Sequence, residues 1–223
     1  MKKTKNLWMS WSSGKDSAFA LSKLMRDSAY SVGALFTTIN EKYGRVAMHS
    51  TRVELAKAQA AAIGLPIHFI SLPDPCSNEQ YEDRMRQFIE VARKAGVESF
   101  GFGDLFLQDI RQYREKQLAG TGFEPVFPLW GVDTRTLSAE MIANIGAVIT
   151  CVDLAKLPAT FAGRVYDDRF LNDLPPGIDP CGENGEFHTF VFKGPGWRHP
   201  LVWSLGETVT RGGFAYADIL PAN

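Results

Sequence analysis

Cysteine is scarce in this chain, and the three present do not pair: Cys76, Cys151 and Cys181 are far apart and none belongs to a Cys-x-x-Cys. Neither a disulfide framework nor a zinc site is indicated, and a reducing, cytoplasmic setting is expected. An excess of one charge is lacking too, with 24 Lys and Arg against 25 Asp and Glu. A chain that grips a nucleic-acid backbone needs a basic block to neutralise phosphates, so nucleic acid is not an expected partner. No apolar run approaches the roughly 18 residues that a membrane span requires. The basic start, MKKTKN, leads only into the short, serine-broken LWMSW, which is no secretory signal core. Internal repeats and low-complexity tracts are also missing.

What is present is a chain of 223 residues, 45% hydrophobic and 22% charged, enough for a sizeable α/β core with an appendage. From residue 7 to about 118 short β-rich runs alternate with helical patterns. LWMSW precedes a helix whose Ala18, Leu21 and Met25 share a face; SVGALFTTI, IHFIS and VESFGF read as further strands. Gly64 and Gly96 end the intervening helices. This order predicts an open parallel sheet with helices on both faces. GTGFEPVFPLWG, residues 120–131, breaks the rhythm and reads as a boundary segment, yet its aromatics predict that it packs, against the protein or a ligand. A helix around Leu137, Met141 and Ile145, a strand AVITCVD and a half-buried strand EFHTFVF then predict a small α+β C-terminal domain. The expected division is 1–128 and 129–223.

The junction WSSGKDSAF, where the first strand feeds the first helix, carries the chemistry. Free backbone amides and the positive end of a helix dipole meet there, which makes an anion site. Gly14 permits close backbone approach, Ser12, Ser13 and Ser17 offer hydroxyls, and Lys15 adds charge. Asp16 is informative, because a carboxylate aimed at phosphates needs a cation such as Mg²⁺ between. The plain alternative is an N-capped helix. A Walker A loop is excluded, since Met9 and Asp16 stand where it requires glycine and Ser or Thr.

The loop resembles the pyrophosphate loop of the N-type ATP pyrophosphatases, Ser-Gly-Gly-x-Asp-Ser, with Ser13 in place of the first glycine. If that position needs a positive φ, Ser13 is strained. Three further pieces are similar to the diphthine-ammonia ligase family: Gly103 and Asp104, Tyr113 and Arg114 followed by Pro128 to Trp130, and Gly182 to Glu186. DPCGENGEFHTF looks more like that family's bacterial branch. The resemblance implies a HUP/Rossmann-like ATP domain and an ATP-dependent ligase that adenylates a carboxylate and captures it with ammonia, releasing AMP and pyrophosphate. In the named family the carboxylate belongs to a modified histidine of translation elongation factor 2. Expected cofactors are ATP and Mg²⁺; expected partners are ammonia and a carboxylate acceptor, with a homodimer left open. With no room for a fused glutaminase, free ammonium or a partner supplies ammonia.

On this reading Ser12 to Ser17 bind pyrophosphate, and Asp16 and Asp104 hold the metal. Gly103, Asp104 and Tyr113 contact the nucleotide. Lys15, Asp16, Arg114, Glu183, Glu186 and His188 are the catalytic candidates. Each has a plainer alternative: Asp104 as a helix N-cap, Tyr113 and Arg114 as solvated helix residues, and Asn184-Gly185 as a turn with solvated acids. Trp8 and Trp11 are expected in the core, Cys181 as a buried thiol, and His49 and His68 as structural. Two rival functions stand beside the ligase: an RNA-thiolation enzyme, which needs reactive cysteines, and a nucleotide sensor without turnover.

Overall fold

Leu7, Trp8 and Met9 are buried on alternating faces of β1 (Lys5–Ser10), a pattern only a central, doubly covered strand produces. In the computed structural model, which describes residues 3–46 and 51–222, β1 pairs in parallel with β2 (Tyr30–Asn40) and with β5 (Ser99–Gly101). Outside them lie β4 (Ile67–Leu72), parallel to β2, and β6 (Glu124–Val126), parallel to β5. The chain therefore winds outward through β2 and β4, then crosses to the other side of β1. Between β1 and β5 the strand order reverses.

The expected all-parallel sheet is corrected in one respect. β3 (Arg45–Val46) runs antiparallel to the end of β2, so the sheet is mixed. The connection is a tight turn over residues 41–44, and a turn that short can only return an antiparallel partner. Residues 120–131, expected to pack, contain the short strand β6. Pro125 is tolerated because β6 lies at the sheet edge. The aromatics around it pack on the protein itself, Phe123 on Phe100 at 4.8 Å and Phe127 on Phe102 at 5.5 Å.

Helices cover both faces. Leu7 and Met9 meet α1 (Lys15–Leu24) and α2 (Val53–Ile63), whereas Trp8 meets α3 (Asn78–Lys94) and, with Phe100 and Phe123, the end of α4 (Gln108–Leu118). Ser77 and Gln80 close a capping box at the start of α3. Met25 falls just past α1 and is half exposed, so the expected single stripe does not describe this helix. Eight of its ten residues are buried instead. The reason is the second sheet.

That sheet is antiparallel, in the order β8 (Phe187–Lys193), β7 (Gly146–Asp153), β10 (Phe214–Pro221), β9 (Trp203–Arg211). α5 (Thr134–Asn144) precedes it and the short α6 (Asp168–Asn172) lies in the loop before β8. One continuous core joins Phe19 and Leu21 of α1 to Ile149, Phe187 and Val191 of the second sheet. A helix enclosed between two sheets must be apolar almost all round. Among the described residues, no helix is long and apolar enough to cross a membrane.

Candidate functional site at the strand-order reversal

The loops after β1 and β5 leave the sheet where its order reverses, the place at which open α/β sheets hold ligands. They touch because of Gly103. A Cβ there would lie 2.9 Å from the Asp16 carbonyl carbon and the Ser17 nitrogen. Gly14 is required for space as well: its φ of −93° suits any residue, but a Cβ would press on the Thr189 carbonyl at 3.2 Å. Ser13, by contrast, has φ 69°, the one non-glycine residue in the left-handed region among the described residues. This costs roughly 1–2 kcal/mol, and its buried hydroxyl has no partner.

Surrounding groups hold that conformation. The Ser13 carbonyl accepts from Gln59 Nε2 at 3.1 Å and from the Val191 amide at 2.9 Å. Gln59 Oε1 accepts from Trp11 Nε1 at 2.9 Å, and Gln59 Nε2 also donates to the Val191 carbonyl at 2.7 Å. The Lys15 amide donates to Thr189 Oγ1 at 3.0 Å. Ser12 and Ser17 hydroxyls lie 3.0 Å apart, and Ser17 Oγ donates to the Gly14 carbonyl. Strand β8 thus braces the loop from the second sheet.

A cleft of about 180 Å³ opens above it, lined by Ser12, Lys15, Asp16 and Ser17, by Gly103 and Asp104, by Arg114, and by Glu183 and His188. Three carboxylates face two cations here. Burial pushes Asp104 above its ordinary range, only partly countered by Arg114, whose Nε lies 3.7 Å from Asp104 Oδ2. Neither of those two atoms has a hydrogen-bond partner. Burial likewise raises Glu183 to about 7, although its Oε1 accepts from the Leu105 amide at 2.8 Å. His188 is lowered to about 4 by burial and by the Lys15 charge, so it is neutral at pH 7. Lys15 is almost wholly enclosed: its Nζ donates to the Asp16 carboxylate at 2.8 Å and to the Cys181 carbonyl, over the Tyr166 and Phe187 rings. Burial works against the Lys15 charge, but Asp16, joined by Cys181 and Glu183, outweighs it and raises the Lys15 ammonium above its ordinary range.

The sequence matches the family model for the diphthamide synthase N-terminal domain over residues 4–124 and that for its C-terminal domain over residues 133–213. The chain belongs to this diphthine-ammonia ligase family. Curated relatives are the diphthine-ammonia ligases of Bos taurus, 29% identical over 65% of this chain, of Homo sapiens, 28% over 65%, and of Danio rerio, 26% over 72%. The chain spans 56% of the first two relatives and 69% of the third. These relatives are vertebrate, and nothing in them supports the bacterial branch. Among solved structures it is similar to a "predicted subunit of tRNA methyltransferase" from Methanocaldococcus jannaschii DSM, with TM-score 0.42 and 16% identity, covering 84% of this chain and 96% of that one.

Within this family member, four expected site residues lie off the cleft lining: Gly14, which packs against Thr189, and three more. Ser13 is buried beneath the loop. Tyr113 is exposed on α4 and bonds Tyr81, whose hydroxyl is raised to about 12 by burial and by that bond. Glu186 is buried: its Oε1 accepts from the Asp179 amide at 3.3 Å and from Asn184 Nδ2 at 3.2 Å, and its Oε2 has no partner. Asn184-Gly185 does form a turn, closed by the Gly185 amide on the Gly182 carbonyl, and the same turn presents Glu183 to the cleft. Asp104 is not an N-cap, because Leu107 occupies that position of α4. Trp8 and Trp11 are core residues; His68 stacks on Trp8 at 4.3 Å; His49 lies outside the described residues.

Sequence reasoning missed Gln59, which lies in no motif, and Thr189, which lies in DPCGENGEFHTF but was not singled out; both grip the loop. Burial raises the Cys151 and Cys181 thiols to about 11 and about 12, so neither is a thiolate at neutral pH. Among the described residues, no group of three His, Cys, Asp or Glu side chains is placed to hold a metal.

Proposed function

We propose that the chain is an ATP-dependent, AMP-forming ligase that adenylates a carboxylate and amidates it with ammonia; its curated relatives are named as ligases of diphthine and ammonia. One observation carries this reading: a single cleft joins the braced loop, Asp104 and Arg114 of the first sheet's side to Glu183 of the second. Residues 1–128 are taken as the ATP unit and 129–223 as the acceptor unit.

The orphaned Asp104 Oδ2, buried in a cleft with surplus carboxylate, fits a divalent cation that also takes phosphate oxygens. Asp16 and Asp104 would hold it; when bound, such an ion supplies neutralisation of phosphate charge. The loop amides and the Ser12 and Ser17 hydroxyls bind the β,γ-pyrophosphate end of ATP. Arg114 stabilises the α-phosphate as an acceptor carboxylate oxygen attacks its phosphorus and pyrophosphate leaves. Ammonia then attacks the acyl carbon, the bond to AMP breaks, and the excess proton of the attacking nitrogen passes to Glu183. With a pKa near 7, Glu183 is the suited base; His188, near 4, is too weak and serves to shape the wall.

Incubating the protein with ATP, Mg²⁺, ammonium and diphthine-bearing elongation factor 2 tests this, with AMP, pyrophosphate and amide expected in equal amounts. Acceptor-independent ATP hydrolysis, or no turnover with this protein or small carboxylic acids, would sink it. The raised thiols weigh against RNA thiolation.

A further inference from the structure

The two edges of the second sheet are treated differently. β8 is spent on the loop: the Val191 amide donates to the Ser13 carbonyl, and Thr189 Oγ1 accepts from the Lys15 amide. β9 is the other edge, and among the described residues it pairs with β10 alone. Residues 207–211 are all exposed, Val209 by half. An edge left open in this way is a template for another strand unless proline or lysine blunts it, and this stretch has neither. Thr208, Val209 and Thr210 instead stand between one acid, Glu207, and one base, Arg211. The one irregularity in the β9–β10 ladder falls opposite residues 206 and 207, at the far end of the stretch.

The register makes the stretch its own complement. Gly212 and Gly213, both at positive φ, form a two-residue hairpin turn, which Arg211 and Phe214 close as a hydrogen-bonded pair. Backbone groups then alternate along β9: those of Arg211 and Val209 point to β10, and those of Thr210 and Thr208 point outward. Two such strands, antiparallel about a two-fold axis at Val209, set Thr208 opposite Thr210 of the partner subunit with these outward groups in phase to bond. The same register sets Glu207 opposite Arg211 of the partner subunit, twice over by symmetry. Glu207, Val209 and Arg211 line one cavity and so share a face. Within one chain Glu207 and Arg211 are about 13 Å apart along the strand, too far to pair. Neither joins an ion pair among the described residues, and Arg45 and Arg52, across the cavity, are engaged by Asp218. Moving the axis one residue either way breaks both charge pairs.

We propose that two copies of this chain pair through β9, antiparallel about Val209, joining their second sheets into one. The contact lies at the edge away from the loop. It is independent of the ligase reading, and its test reads assembly rather than turnover.

Sedimentation equilibrium of the full chain from about 1 µM to about 1 mM should show a monomer–dimer equilibrium. Glu207→Arg or Arg211→Glu alone places like charges opposite each other twice per dimer and should weaken association about tenfold or more. The double variant E207R/R211E exchanges the signs and should restore the dimer. A second measurement serves where a charge variant lowers Tm. In a Cys76→Ser background, Val209→Cys puts two thiols at the axis on Cα atoms about 4.5 Å apart, within reach of a disulfide. Val202→Cys, at a position 67% exposed, lies about 45 Å from its copy and should not cross-link under the same copper–phenanthroline oxidation. A monomer throughout the range, a dimer that both single variants leave intact, a double variant that stays dissociated, or equal cross-linking of the two cysteine variants would overturn the assignment.

Discussion

Gln59 pins Ser13 in a left-handed conformation: its Nε2 donates to the Ser13 carbonyl at 3.1 Å, from α2, the fourth element after the loop. Because the same amide also serves Trp11 and Val191, one wholly buried side chain ties together the first strand, the loop and the second sheet. The loop's shape is therefore imposed from outside itself.

Replacing Gln59 by leucine strips the Trp11 indole and the Val191 carbonyl of partners in the core. Urea unfolding should show a loss of about 2–4 kcal/mol. ATP affinity, measured at a temperature where the variant is still folded, should fall as well, because Ser13 is then free to leave the strained region.

Ser13→Gly should do the opposite. Glycine accepts φ 69° without strain and removes the orphaned hydroxyl, while its own backbone entropy returns part of the gain; a net stabilisation of about 0.5–1 kcal/mol is expected. Ser13→Val, tested beside it by the same unfolding measurement, should be destabilising.

Glu183 gives a pH signature. Its folded pKa, about 7, lies above the ordinary 4.5, so between those values the folded state binds more protons than the unfolded one, and this group's contribution to stability falls as pH rises through the window. Glu183→Gln, whose carbonyl still accepts from Leu105, should therefore raise Tm at pH 8, corresponding to about 1–2 kcal/mol after allowance for the cleft's access to water. The gain should vanish below pH 4.5. In turnover assays the wild type should gain activity as pH rises through about 7, and the variant should lack that limb.

Asp104→Asn separates metal from nucleotide binding. The Mg²⁺-dependent increment in ATP affinity should drop at least about tenfold, whereas affinity measured in chelator should hold or improve, since a carboxylate facing phosphates has been neutralised. Equal loss under both conditions would move Asp104 from metal to nucleotide contact.

Much of this was legible in residue order. Periodicity located the parallel strands and their helices, and the glycine, aspartate and serine types in SSGKDS and GFGD marked the two loops that meet. The Gly212-Gly213 pair, with φ 59° and 83°, is a hairpin signal joining β9 to β10 that the sequence reading left unused. Strand β6 inside GTGFEPVFPLWG was not legible for a physical reason: Pro125 disfavours a central strand, and nothing local reveals that β6 is an edge.

By itself the sequence determined which local elements form, where an anion-binding turn falls, and which family the chain belongs to, because strand and helix periods, turn residues and motif spacing are short-range properties. Only the tertiary structure decided that Glu186 turns inward while Glu183 faces the cleft, that Lys15 is consumed by Asp16, and that Gln59 and Thr189 brace the loop. The bracing contacts join residues 46 and 174 positions apart, the others turn on burial, and no local pattern encodes the desolvation or the packing that chooses between the outcomes.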